Sequence, residues 1–208
     1  MMASMVDEER TLGDAEGWNR RYAEGTAKWD LGEAPPVLTD HIARRGPPPA
    51  ERRRVLVPGA GYGHDAMAWA RAGWAVTAVD FAPLAVEGMQ TRAANAGLDM
   101  QVLEADVLDL PRALNAAFDL IWEQTCLCAL YPEMRDAYVA SMARAIKPTG
   151  EYQALFWNHG NEGGPPYDIS PDLVDRLFTP AFEVLENRPV PPERSRRSHE
   201  FLSLMRPR

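Results

Sequence analysis

Three glycines and an acid stand at a spacing that suits a nucleotide-like ligand. Gly59, Gly61 and Gly63 follow the apolar run Val55, Leu56, Val57, and Asp80 lies 19 residues after Gly61. Glycine allows a tight turn and lets a ligand approach the backbone closely. A carboxylate roughly 20 residues on, at the end of the next strand, can accept hydrogen bonds from ribose hydroxyls. Asp106 and Glu123 recur at the ends of two further β-type runs. Three acids converging on one edge of a sheet read as a ligand site rather than as scattered surface charge.

The elements that position these groups follow from local pattern. Residues 55–57 form a short strand, buried on both faces, and Pro58 stops it because it has no N–H to donate. The pattern predicts a helix over 64–72 closed by Gly73, then a strand over 74–79. Pro83 suits a first helical turn, a helix follows over 84–96, and Gly97 ends it. Further strands are expected at 100–104, 118–122, 152–157, 182–186 and 201–205, with helices at 135–146 and around 171–178. Lys147, Pro148, Thr149 and Gly150 read as a turn. Upstream lie a helical turn over 16–22, a loop over 28–32, a helix over 37–45 and a proline-rich connection over 46–54. Strands alternating with helices predict an α/β, Rossmann-like fold, a mostly parallel sheet with helices on both faces. Ligands then bind at the C-terminal ends of the strands, near the switch in strand order.

Composition sets bounds. A chain of 208 residues suits one domain with a sizeable core. Its net charge of −8 argues against a nucleic-acid partner. The opening residues have no apolar segment of a secretory signal, and no apolar run approaches a membrane span, so a cytoplasmic setting without a membrane partner is expected. Cys126 and Cys128, one residue apart, are too few for a metal site and badly spaced for a disulfide. They read as reduced, buried, small apolar residues, and no metal is expected. No long amphipathic seam stands out, so the default is a monomer.

The third glycine narrows the ligand. A dinucleotide fingerprint places it at position 64, which is His64; Gly63 is one place early. That argues against a nicotinamide oxidoreductase. The looser G-x-G-x-G pattern resembles that of methyltransferases using S-adenosylmethionine, which has no pyrophosphate to seat on a helix N-terminus. Asp80 suits either ligand.

Further runs make the resemblance specific. They are Lys28-Trp29-Asp30-Leu31-Gly32, Val57-Pro58-Gly59-Ala60-Gly61-Tyr62-Gly63-His64-Asp65, Phe118-Asp119-Leu120-Ile121-Trp122-Glu123, Cys128-Ala129-Leu130, Pro132-Glu133-Met134-Arg135 and Gly163-Gly164-Pro165-Pro166-Tyr167. In this order, from about Trp18 to the C-terminus, the chain resembles the thiopurine S-methyltransferase family, and within it the halide/thiol methyltransferase branch. The resemblance implies a seven-stranded Rossmann-like methyltransferase fold, S-adenosylmethionine as cofactor and a small-molecule acceptor, with methyl transfer to sulfur or a halide. Residues 1–45 would cap the cofactor site. Trp29 would cover the cofactor, with Trp18 supporting it. Gly59 and Gly61 would approach the methionine portion, Asp80 would bind the ribose, Asp106 and Val107 would flank the adenine, and Gln124 would lie beside the cofactor.

On the acceptor side, Arg194, Arg196 and Arg197 precede the last strand, where the family carries a basic residue facing the acceptor; Arg196 and Arg197 are the candidates. His159, after the fifth strand, is a candidate proton acceptor. Trp157 and Tyr167 are candidate walls of the acceptor pocket. The chain departs from the family in Ala60, Tyr22, Gln124-Thr125-Cys126 and Trp157-Asn158-His159, and the last two groups bear on the acceptor. A small thiol is the first reading. A halide, a selenium or tellurium oxyanion and an oxygen or nitrogen acceptor stay open, as does a cofactor-binding protein without catalysis.

Overall fold

The computed structural model describes residues 14–27, 29–48 and 53–208. Lys28, the first thirteen residues of the expected cap and part of the proline-rich connection lie outside the described residues. Two helices come first, α1 (Ala15–Ala23) and α2 (Pro36–Arg45). The alternating unit follows: β1 (Arg54–Pro58), α3 (His64–Arg71), β2 (Ala75–Asp80), α4 (Pro83–Asn95), β3 (Gln101–Glu104) and β4 (Phe118–Gln124). The second half is α5 (Arg135–Ala145), β5 (Ile146–Trp157), α6 (Pro171–Phe178), β6 (Phe182–Pro189) and β7 (Glu200–Pro207).

The seven strands form one sheet in the order β3-β2-β1-β4-β5-β7-β6. β1 to β5 pair in parallel, and β7 runs antiparallel to both of its neighbours. The chain winds outward from β1 to β3, then crosses back to lay β4 beside β1. That reversal opens a crevice at the carboxyl ends of β1 and β4.

Side-chain alternation divides the core between the two faces. Leu56, Ile121, Tyr152 and Phe156 pack with Tyr138 and Met142 of α5 and Phe178 of α6. Val55, Val57, Trp122 and Leu155 pack with Leu38 of α2, Trp69 of α3 and Met89 of α4. Helices therefore cover both faces, as the strand–helix alternation predicts.

One expectation needs correction. Residues 147–150 are not a separate turn but lie inside β5. Phe118 pairs with Ile146 and Leu120 with Glu151, so two steps along β4 match five along β5. The extra residues bulge out, held where Lys147 Nζ meets Asp119 Oδ1 at 2.8 Å. Asp119 Oδ2 accepts from the Arg54 backbone N–H at 2.9 Å, tying the bulge to β1. Among the described residues, no helix is long and apolar enough to cross a membrane.

Candidate active site

The turn after β1 is built by its glycines. Gly59 has φ 57°, and a Cβ there would stand 2.6 Å from Cys126 Sγ. Gly63 has φ 80° just before α3, and a Cβ there would stand 2.6 Å from Met89 Cγ. The early third glycine thus serves close packing of α3 on α4.

Asp80, at the end of β2, holds this turn. Its Oδ2 accepts from the Gly61 N–H at 2.8 Å and its Oδ1 from the Ala82 N–H at 3.0 Å. Burial pushes its pKa up, against the backbone hydrogen bonds that favour the anion. Each carboxylate oxygen keeps a second lone pair that can accept from a ribose hydroxyl.

A cavity of about 870 Å³ opens over these groups. On the β2–β3 side it is lined by Asp80, Phe81, Asp106 and Val107. On the β4–β5 side it is lined by Cys126, Cys128, Trp157 and Arg197. Gly59 lies between, and α1 contributes Trp18 and Arg21. Asp106 is exposed, and its Oδ1 accepts from the Leu108 N–H at 2.8 Å, which leaves Oδ2 for an amino donor. Gly61 and Gln124 line a small adjoining crevice that shares Trp29, Gly59 and Thr125 with the main cavity.

The N-terminal elements sit against the turn. Asp14 caps α1 by accepting from the Gly17 N–H at 2.7 Å. Trp18 and Tyr22, one helical turn apart, meet Trp29 edge-on at 5.0 and 5.5 Å. Asn19 Oδ1 accepts from the Leu84 N–H at 2.8 Å and docks α1 onto the start of α4. His64 Nε2 lies 3.0 Å from Asp30 Oδ1, so α3 also holds the loop that carries Trp29.

Glu123 departs from its expected place. It is fully buried and does not line the cavity. Its Oε1 accepts from the Cys126 and Leu127 N–H groups at 2.8 and 3.1 Å and shapes the bend after β4. Oε2 has no hydrogen-bond partner among the described residues, and burial pushes the carboxyl up to about 7. Thr125, in this bend, has φ 60°, a strained conformation for a β-branched residue.

On the acceptor side the expected residues separate. Trp157 lines the cavity and donates from Nε1 to Ser198 O at 2.8 Å. Arg197 lines it too, with Nη2 donating to Trp29 O at 3.1 Å, Nη1 3.5 Å from Glu200 Oε1, and the guanidinium 5.4 Å from the Trp157 ring. Arg196 points into the small crevice and pairs with Glu33, while Arg194 pairs with Asp40 at 3.1 Å. His159 is not among the cavity-lining residues. Its ring meets Trp157 at 4.7 Å, and Nδ1 accepts from the Asn161 N–H at 3.1 Å. Tyr167 is also outside the cavity lining: its N–H donates to Cys128 O at 2.7 Å, and the Arg135 guanidinium lies 5.3 Å from its ring. Pro165 and Pro166, from the same motif, line the cavity instead.

Pattern reading missed Arg21 and took the two cysteines for core. Both thiols are free and buried, yet they line the cavity wall. Burial pushes Cys128 up to about 12 and Cys126 higher than an ordinary thiol, so both stay protonated and do not compete as nucleophiles.

The thiopurine S-methyltransferase (TPMT) family model matches residues 13–199. The chain belongs to the thiopurine S-methyltransferase family. It is 32% identical over 174 residues to a probable thiol methyltransferase 2 of Arabidopsis thaliana, covering 81% of this chain and 74% of that one. It is 31% identical over 166 residues to thiocyanate methyltransferase 1 of Brassica oleracea, covering 79% and 72%. Among solved structures, the 1,6-didemethyltoxoflavin-N1-methyltransferase of Burkholderia thailandensis, with bound S-adenosylhomocysteine, aligns at a TM-score of 0.70 and 21% identity, covering 93% of this chain and 86% of that one, and it supports the fold. This family member is an S-adenosylmethionine-dependent methyltransferase. The residues present fit that cofactor, since the glycine turn leaves no room for side chains and Asp80 and Asp106 keep acceptor capacity.

Proposed function

We propose that the protein methylates a small thiol, binding it in the Trp157–Arg197 part of the cavity beside the cofactor. The carrying observation is one continuous cavity that joins Asp80 and Asp106 to an aromatic wall with a guanidinium. The cofactor supplies an electrophilic methyl group on a sulfonium. Asp80 would hold the ribose, Asp106 and Val107 the adenine, and Trp18 and Trp29 would cover the site, with residues 1–45 as its cap. Gln124 and Gly61 would flank the methionine portion from the small crevice.

The acceptor loses its proton to water before attack. With the cofactor bound, the thiolate sulfur would take the methyl group and the sulfonium would be left as a neutral thioether. A thiol with pKa near 8.5 is a few per cent ionised at pH 7, so alignment and desolvation suffice without a dedicated base. Arg197, beside the acceptor, favours the anion. His159, outside the cavity lining, has no step to perform. Soft anions such as thiocyanate suit the same cationic wall. A monomer in a reducing, cytoplasmic setting fits the two free thiols.

An assay over a panel of acceptors tests the acceptor class. Thiols, thiocyanate, iodide and selenite are offered separately with S-adenosylmethionine, and methylated products are measured by mass spectrometry. The thiols should give the highest kcat/KM; selenite or iodide ahead of every thiol would refute the assignment.

A further inference from the structure

Arg21 stands out among the cavity-lining residues because no carboxylate among the described residues answers its charge. Trp18, Arg21 and Tyr22 occupy i, i+3 and i+4 on α1, one face of the helix. The Arg21 guanidinium lies 4.7 Å from the Trp18 ring and 5.8 Å from the Trp29 ring, half-buried on the cavity wall. No carboxylate among the described residues forms an ion pair with it. Burial lowers its pKa without ever discharging it, as a guanidinium stays protonated.

Arg197, the other guanidinium on this wall, is different. Glu200 and the Trp29 carbonyl already engage it. The acids of the cavity offer Arg21 no substitute. Asp80 accepts from two backbone N–H groups, Asp14 caps α1 and Asp106 closes its own turn, and among the described residues none of the three forms an ion pair with Arg21. A planar cation set against two indoles, with no hydrogen bond from its N–H groups among the described residues, suits a planar anion bound bidentately. A bare thiolate cannot use that fork.

We propose that Arg21 is a specificity-determining residue that binds a carboxylate carried by the acceptor, so the preferred substrates are thiols with a second, carboxylate group. The inference rests on the thiol reading above. A cavity of about 870 Å³ lies at the upper end of small-molecule sites, which run to about 1,000 Å³, and leaves space for an acceptor larger than a single anion.

The test compares 2-mercaptobenzoate with thiophenol, which differ by the carboxylate. Wild type should favour 2-mercaptobenzoate in kcat/KM by tenfold or more. In Arg21→Gln that ratio should collapse toward one through a higher KM, with kcat for 2-mercaptobenzoate reduced less than kcat/KM. Arg21→Lys, which keeps the charge but loses the fork, should fall between. Calorimetry with S-adenosylmethionine runs alongside. An Arg21→Gln protein that keeps the ratio but loses cofactor affinity would overturn the proposal and make Arg21 a cofactor ligand. A wild-type ratio near one would overturn it too. Wild-type turnover of neither thiol would instead refute the thiol reading beneath it.

Discussion

Arg197 Nη2 donates to the carbonyl oxygen of Trp29 at 3.1 Å, joining the loop before β7 to the loop that carries the site's aromatic cover. The same guanidinium lies 5.4 Å from Trp157. One side chain therefore ties the Trp29 loop to the Trp157 wall and brings a guanidinium to the cavity.

Arg197→Gln should move the pH dependence of kcat. With Arg197 beside the acceptor as proposed, the cation should favour the bound thiolate and put the acidic limb of the kcat profile below the free thiol's pKa. Removing the charge should shift that limb upward by a unit or so, with a higher KM for the thiol. An unmoved profile would take Arg197 away from the acceptor.

Asp80→Ala should weaken S-adenosylmethionine binding by a hundredfold or more, since two hydrogen bonds to a charged group are worth about 1.5–3 kcal/mol each. Calorimetry reads the affinity, and circular dichroism checks that the variant folds without the Gly61 anchor. Asp80→Asn keeps one acceptor and should lose less. Unchanged affinity in Asp80→Ala would remove the ribose role.

Gly59→Ala places a methyl 2.6 Å from Cys126 Sγ at a φ of 57°. The expected cost is about 1–3 kcal/mol of stability, with loss of cofactor binding. Adding Cys126→Gly should recover part of the stability, because the clash is with that side chain, while the φ strain persists. Thermal melts of the single and double variants decide it.

Glu123 should make stability fall as pH rises. Its carboxyl is pushed up to about 7 in the fold, so between roughly pH 4.5 and 7 the folded state keeps a proton that the unfolded chain has released. Asp65, pushed up to about 6, acts in the same sense. Glu123→Gln keeps an acceptor for the Cys126 and Leu127 N–H groups and removes the titration. Its stability relative to wild type should be greater at pH 8 than at pH 5 by about 2–3 kcal/mol. Urea denaturation at the two pH values measures this, and an equal difference at both would contradict it.

Much of the frame is legible in the chain because its punctuation is local. Pro58, Gly73, Pro83 and Gly97 sit within a residue or two of element ends. The bulge at 147–150 is not legible, because Lys-Pro-Thr-Gly is turn-like by itself and only pairing with β4 draws it into the sheet. Asp80 is found by spacing, whereas Glu123, also at a strand end, falls inward to the post-β4 bend. His159 and Tyr167 lie on a long connection whose course depends on backbone bonds to residues distant in sequence, Asn158 N–H to His199 O and Tyr167 N–H to Cys128 O, and on packing against Trp157. Arg21 shares its helix face with Trp18, and that spacing is visible, but which side of α1 meets the cavity follows from docking at Asn19 and Leu84.

The central claim is methyl transfer from S-adenosylmethionine to sulfur in this cavity. A single-turnover reaction tests it most directly, with excess enzyme, S-adenosylmethionine carrying a deuterated methyl group and 2-mercaptobenzoate as acceptor. The account predicts the deuterated S-methyl product and S-adenosylhomocysteine in equal amounts. S-adenosylhomocysteine without an S-methylated product, or bound cofactor left intact with every thiol offered, would contradict it.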